Sequence, residues 1–176
     1  MAKKTAFGGE AEYQTFTRLG EEIGESRNEL ELLKQIEVLT GSDAILSQRA
    51  ATILHHCSNV APDIFLPHLD ELIPVLKNPI HDSGPRMVFR LFSLIEIPEK
   101  YSGTIVDLAF QYIENPKTLV ATKVNAMYTV ANQAKIYPEL KIELEASIEY
   151  QYQTSLPAFK ACVRKLSKQI GIQIGN

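Results

Sequence analysis

Four cations fall at one interval: Arg49, Arg86, Lys123 and Lys160 are each 37 residues apart. Arg90 and Arg164 stand one helical turn beyond the second and the fourth. Aligned on one face, such a row would bind an extended polyanion or an acidic peptide. The competing account is that each cation bonds a carbonyl or an acid of the neighbouring segment, so that the repetition records packing. His55-His56-Cys57 has the residue types of a metal site, but adjacent helical residues point about 100° apart, and the three cannot converge on one ion. His68 and His81 leave room only for a weak site with His56. His81-Asp82 has the types of an acid–base pair, against the simpler expectation of a turn bonded to its own backbone. There is no G-x-S-x-G, P-loop or His-Glu-x-x-His motif. The inventory predicts no enzyme activity, no cofactor and no metal.

The interval that separates the cations also separates the punctuation around them. Pro62-Asp63, Pro98-Glu99 and Pro138-Glu139 follow the first three cations by 12 to 15 residues, and Asn78-Pro79 recurs as Asn115-Pro116 after 37. Proline lacks the N–H that a first helical turn leaves unpaired, and an acid beside it complements the helix dipole, so Pro-acid opens a helix. The residue before proline is pushed out of the α region, so Asn-Pro closes one. One unit reads helix, Pro-acid, helix, Asn-Pro turn.

Apolar residues recur at three and four in the first helices, Leu46, Ala50, Ile53, Leu54 and Cys57 in one unit and Met87, Val88, Leu91, Leu94 and Ile95 in the next. Second helices are expected at Leu66 to Leu76, Ile105 to Ile113 and Leu140 to Ile148. Upstream, Ser26-x-x-Glu29 reads as a capping box before Leu30, Leu32, Leu33, Ile36 and Leu39, with Gly41 as the stop. Tyr13, Phe16, Leu19 and Ile23 mark a weaker helix before it, and Ala158 to Ile170 a lone last helix. No useful stretch alternates with period two. The expectation is all-α: about three full 37-residue pairs between irregular end caps.

Composition narrows the class. The chain has 176 residues, 45% of them hydrophobic, with 18 Lys and Arg against 21 Asp and Glu, for a net charge of -3 and a pI near 5.8. That is enough for one domain over 10–176, behind a flexible tail at 1–9, with no need of disulfides or metal. Cys57 belongs to an apolar stripe, and Cys162 is three repeats away, roughly 30 Å at helix-packing distances and out of disulfide reach. No apolar run approaches the roughly 20 residues of a membrane span, and the basic start lacks the apolar core of a signal peptide, so a cytoplasmic location is expected. Residues 1–46 carry 5 cations and 9 acids, whereas 156–176 carry Lys160, Arg164, Lys165 and Lys168 and no acid. Lys160, Arg164 and Lys168 share one stripe of the last helix. It is either a solvated cap or a docking edge, for an acidic partner or for the acidic start of another copy.

A 37-residue helix pair with an early Arg or Lys, small residues after it (Arg49-Ala50-Ala51) and a Pro-acid entry to the second helix resembles the HEAT-type α-solenoid, a right-handed stack of antiparallel pairs. Over 48–170 the likeness is closer. QRAATILHHCS, LKNPIHDSGPRMVFRLFSLIEIPEKY, VATKVNAMYTVANQAKIYPELKIEL and AFKACVRKLSKQI are similar to a family of small bacterial HEAT-repeat proteins with no assigned reaction. Its members often carry an aromatic after the two alanines, where this chain has Thr52. The extended surface that such a stack provides and the lack of a catalytic constellation lead to the expectation of a non-catalytic scaffold that binds a protein or peptide, and the cation column makes Arg49, Arg86, Arg90, Lys123, Lys160 and Arg164 its contact candidates. The alternative is nucleic-acid binding along the cation ladder, as in HEAT-like DNA alkylation repair proteins. Against it stand the net acidity, the absence of Trp and the second-helix acids Asp70, Glu71, Glu143, Glu145 and Glu149.

Overall fold

The computed structural model of the chain describes residues 9–153, 157–172 and 174. Among them there are helices and no strand: α1 Glu10–Ser26, α2 Glu29–Thr40, α3 Ala44–Val60, a 3-10 helix Pro62–His68, α4 Leu69–Lys77, α5 Ser83–Phe92, α6 Glu99–Glu114, α7 Val120–Gln133, α8 Leu140–Tyr152 and α9 Pro157–Ile170. The expected tail at 1–9 lies outside the described residues, apart from Gly9 just ahead of α1. Packing groups the chain into two compact units, Met1–Met87 and Val88–Asn176, with the division inside α5.

In the first unit α3 packs against α1 and α2, and α4 packs back on α2. Leu32, Ile36, Leu39, Ile53, Leu54, Phe65 and Leu72 are buried between them. In the second, α7 packs against α6, α8 and α9, while α8 returns to α6. Phe89, Phe92, Ile105, Met127, Ile148 and Phe159 fill that core. In both units a helix meets the helix two places on as well as its neighbour, as stacked helix pairs do.

Side chains also settle backbone groups between helices. Thr129 Oγ1 donates to Phe89 O at 2.8 Å, and Asn132 Nδ2 donates to Phe92 O at 3.2 Å and Ile95 O at 2.8 Å. Carbonyls at the end of a helix have no partner within it; Asn132 of α7 supplies donors at and just past the end of α5, while Thr129 adds a second donor to Phe89 O, which already accepts from Ser93 N at 3.0 Å.

Several boundaries differ from the sequence expectation. Ser26 does not cap α2. It lies in the last turn of α1, its hydroxyl donating back to Glu22 O at 2.6 Å. Asn28 is the cap instead, its Oδ1 accepting from Glu31 N at 3.1 Å. The chain turns through Arg27 in the left-handed region, with N–H bonds from Arg27 to Gly24 O and from Asn28 to Ile23 O. The second helix of the first clean unit is not continuous over Leu66 to Leu76. Pro62-Asp63 opens a 3-10 turn, and α4 starts at Leu69, after Pro67 has removed a donor from the ladder. The second helix expected at Ile105 instead begins at Glu99, directly after Pro98. Leu46 and Leu94 leave their stripes: they are exposed, Leu46 in the first turn of α3 and Leu94 past the end of α5.

Two glycines behave oppositely. A methyl at Gly20 would stand 2.3 Å from Ile53 O and 2.8 Å from His56 Cβ, and one at Gly24 would stand 2.8 Å from Val60 Cβ. The α1 backbone therefore lies on α3 with no room for side chains. Gly103, inside α6, has nothing within 4 Å of the place a Cβ would take. Gly20→Ala is expected to lower unfolding free energy by about 1–3 kcal/mol through overpacking. Gly103→Ala should raise it by about 0.5–1 kcal/mol, because glycine weakens a helix interior. Urea unfolding of the two variants checks both signs.

Candidate functional site

The histidines are held by neighbours of ordinary kind. His56, on α3, places Nε2 3.1 Å from Thr17 Oγ1 and 3.3 Å from Tyr13 OH, and its ring meets the Tyr13 ring edge-on at 5.8 Å. Burial pushes its pKa down. His81 Nδ1 accepts from Ser83 N at 3.2 Å and lies 2.8 Å from Ser83 Oγ, so His81-Asp82 is a turn that leads into α5. His68 Nε2 sits 3.8 Å from Glu29 Oε1. Among the described residues no three His, Cys, Asp or Glu side chains gather to hold a metal ion. Cys57 is fully buried and its thiol is pushed up to about 12, which makes it a core residue rather than a nucleophile.

The repeated cations occupy like places in their helices. Arg86, Lys123 and Lys160 are each the fourth residue of α5, α7 and α9, and Arg49 is the sixth of α3. Their surroundings differ. Arg49 Nη2 bonds Glu12 Oε1 of α1 at 2.7 Å, its guanidinium lies 5.9 Å from the Phe16 ring centroid, and its Nε is buried without a hydrogen-bond partner. It reaches across the seam where Gly20 and Gly24 bring α1 onto α3.

Lys123 is buried. Its ammonium donates to Gln151 Oε1 on α8, and Gln151 Nε2 donates in turn to Ile113 O at 2.8 Å and Ser147 O at 3.2 Å. One lysine thereby joins α7 to α8, and through the amide to the end of α6. Loss of solvation lowers its pKa.

Arg86 is exposed and Arg90 half-buried, and both take part in interactions. Lys160 is half-buried, donating to Gln153 O at 3.1 Å with its ammonium 5.3 Å from the Tyr152 ring centroid. Arg164, Lys165 and Lys168 are exposed, while Phe159, Val163 and Leu166 turn the other side of α9 inward.

A second surface feature escaped the sequence reading. In the Val88–Asn176 unit a cleft of about 300 Å³ opens between α6 and the start of α8, lined by Glu99, Ser102, Gly103, Val106, Tyr137, Glu139 and Leu140. Both of its acids come from the repeated Pro-acid pairs. Those pairs are legible as helix openers, but a gap between two openers forms only when the helices stack.

The titration of Lys123 follows from its burial. The folded state holds this proton less tightly than the unfolded chain, so Lys123 makes stability rise with pH between its lowered folded value and the ordinary lysine range. Lys123→Met removes that slope. The stability of the wild type relative to the variant should therefore grow as pH climbs toward the ordinary lysine range, as followed by urea unfolding at each pH.

A family model described as a HEAT repeat domain matches residues 7–170. No curated protein and no solved structure is matched.

Proposed function

Because the chain belongs to the HEAT repeat domain family, whose repeats are commonly protein-interaction scaffolds, we propose that it is a non-catalytic module that binds a protein or peptide. The observation that carries this reading is α9. Lys160, Arg164 and Lys168 stand at i, i+4 and i+8, Lys165 is exposed beside them, and the helix has no acid to offset them. An acidic partner segment docks along that stripe. Among the six candidate cations, Arg164 and Lys160 are the contact residues on this stripe. Arg86 and Arg90 are further contact candidates on α5, while Arg49 and Lys123 hold helices together.

A protein partner fits better than a nucleic acid because apolar surface is also on offer. On α8, Leu144 and Ile148 are buried, but Ile142 is 74% and Tyr150 90% exposed. With Ala146 they form a second apolar stripe on the opposite side of the helix. Such a face complements a protein surface and does nothing for phosphate. No described helix is long and apolar enough to cross a membrane.

The test is capture from a lysate of the source cells on the immobilised chain, beside a triple variant with Arg164, Lys165 and Lys168 changed to Glu. The expected result is a protein retained by the wild type, lost by the variant and released by salt, with the melting temperature unchanged. Retention of duplex DNA at low salt, where phosphate contacts are strongest, with no protein captured, would overturn the proposal in favour of a nucleic-acid ligand.

A further inference from the structure

We propose that the cleft between α6 and the start of α8 receives a lysine or arginine side chain from a basic segment of a protein partner. The cleft's size, about 300 Å³, is at the low end of ligand pockets, which run roughly 300–1,000 Å³. It suits one long side chain rather than a cofactor. Val106, Leu140 and the half-buried Tyr137 give it apolar walls, and Glu99 and Glu139 stand exposed at its edge. An apolar stem that ends in a cation is the one side-chain chemistry that satisfies both parts: methylenes pack on the walls while the head stays at the wet rim beside the carboxylates. Tyr137 adds an aromatic surface to which a guanidinium is attracted.

Two further observations support that occupant. Neither Glu99 nor Glu139 is in an ion pair among the described residues. Lys100 lies over the Tyr101 ring at 4.3 Å, and Lys135 donates to Asn132 Oδ1 at 3.0 Å. The second is Gly103. Glycine inside a helix costs stability, and here packing does not require it, since a Cβ would meet nothing within 4 Å. What the missing side chain does leave is the opening itself.

The probe is acetyl-Leu-Arg-Leu-amide, titrated into the nitrogen-15-labelled chain and followed by NMR, beside the same peptide with norleucine or glutamate at the centre. The arginine peptide should shift the Gly103 and Val106 amides saturably, the norleucine peptide should bind about tenfold more weakly, and the glutamate peptide should leave both amides unmoved. Gly103→Leu should abolish the shifts while melting no lower than the wild type, so that a filled cleft is distinguished from a damaged fold. Glu99→Gln combined with Glu139→Gln should bring arginine binding down to the norleucine level. Arg164→Glu should change nothing here, so this site and the α9 stripe stand or fall separately. Equal binding of arginine and norleucine peptides, binding that survives Gly103→Leu, or no shift at all would each overturn the proposal.

Discussion

No helix pair in this chain can bury its apolar stripe alone, and that constraint arranges the rest of the structure. A two-helix unit has one inner seam, yet α3 carries apolar residues toward both α1 and α2, and α7 toward α6, α8 and α9. Within each unit one pair must therefore be covered by the next. The close seam of α1 on α3, possible only with Gly20 and Gly24, is the tightest case. Polar groups follow the same geometry. At the end of α5, Asn132 of α7 donates to Phe92 O and Ile95 O, and Thr129 adds a second donor to Phe89 O.

The cations divide along the same line between inside and outside. A recurring helix position that meets the next helix in a stack is drawn into its packing, and Arg49 and Lys123 show two ways of tolerating that. Arg49 keeps its head at the seam's edge, paired with Glu12 and 5.9 Å from the Phe16 ring centroid. Lys123 is taken further in and relies on an amide whose other bonds already tie α8 to α6. Burying an ammonium is costly unless it is so held. At α9 the equivalent Lys160 donates to Gln153 O, while Arg164, Lys165 and Lys168 on the same helix are exposed. Like residue types at equal spacing thus do different work.

Much of this was legible in the sequence, for local reasons. Proline and asparagine act on their own backbone, so Asn78-Pro79 and Asn115-Pro116 end α4 and α6 as expected. Apolar periodicity likewise found the buried sides of α3 and α5. What was hidden depends on neighbours. Ser26 and Asn28 both have capping side chains, and only the left-handed turn at Arg27 decides between them. Gly20 and Gly103 look alike in a sequence, but one touches another backbone and the other touches nothing. The 37-residue step revealed that Arg49 and Lys123 are equivalent, but not that Glu12 and Gln151 would be waiting for them. The cleft at Glu99 and Glu139 was invisible because neither helix contains it.

The division between packing cations and surface cations is tested most directly by measuring unfolding free energy in urea for Arg49→Met and Arg164→Met side by side. Both variants keep an unbranched stem and lose one charge. The structure predicts a loss on the order of 1 kcal/mol or more for Arg49→Met, which breaks the bond to Glu12, and a change within about 0.5 kcal/mol for Arg164→Met. Equal losses, or a larger loss at Arg164, would contradict it.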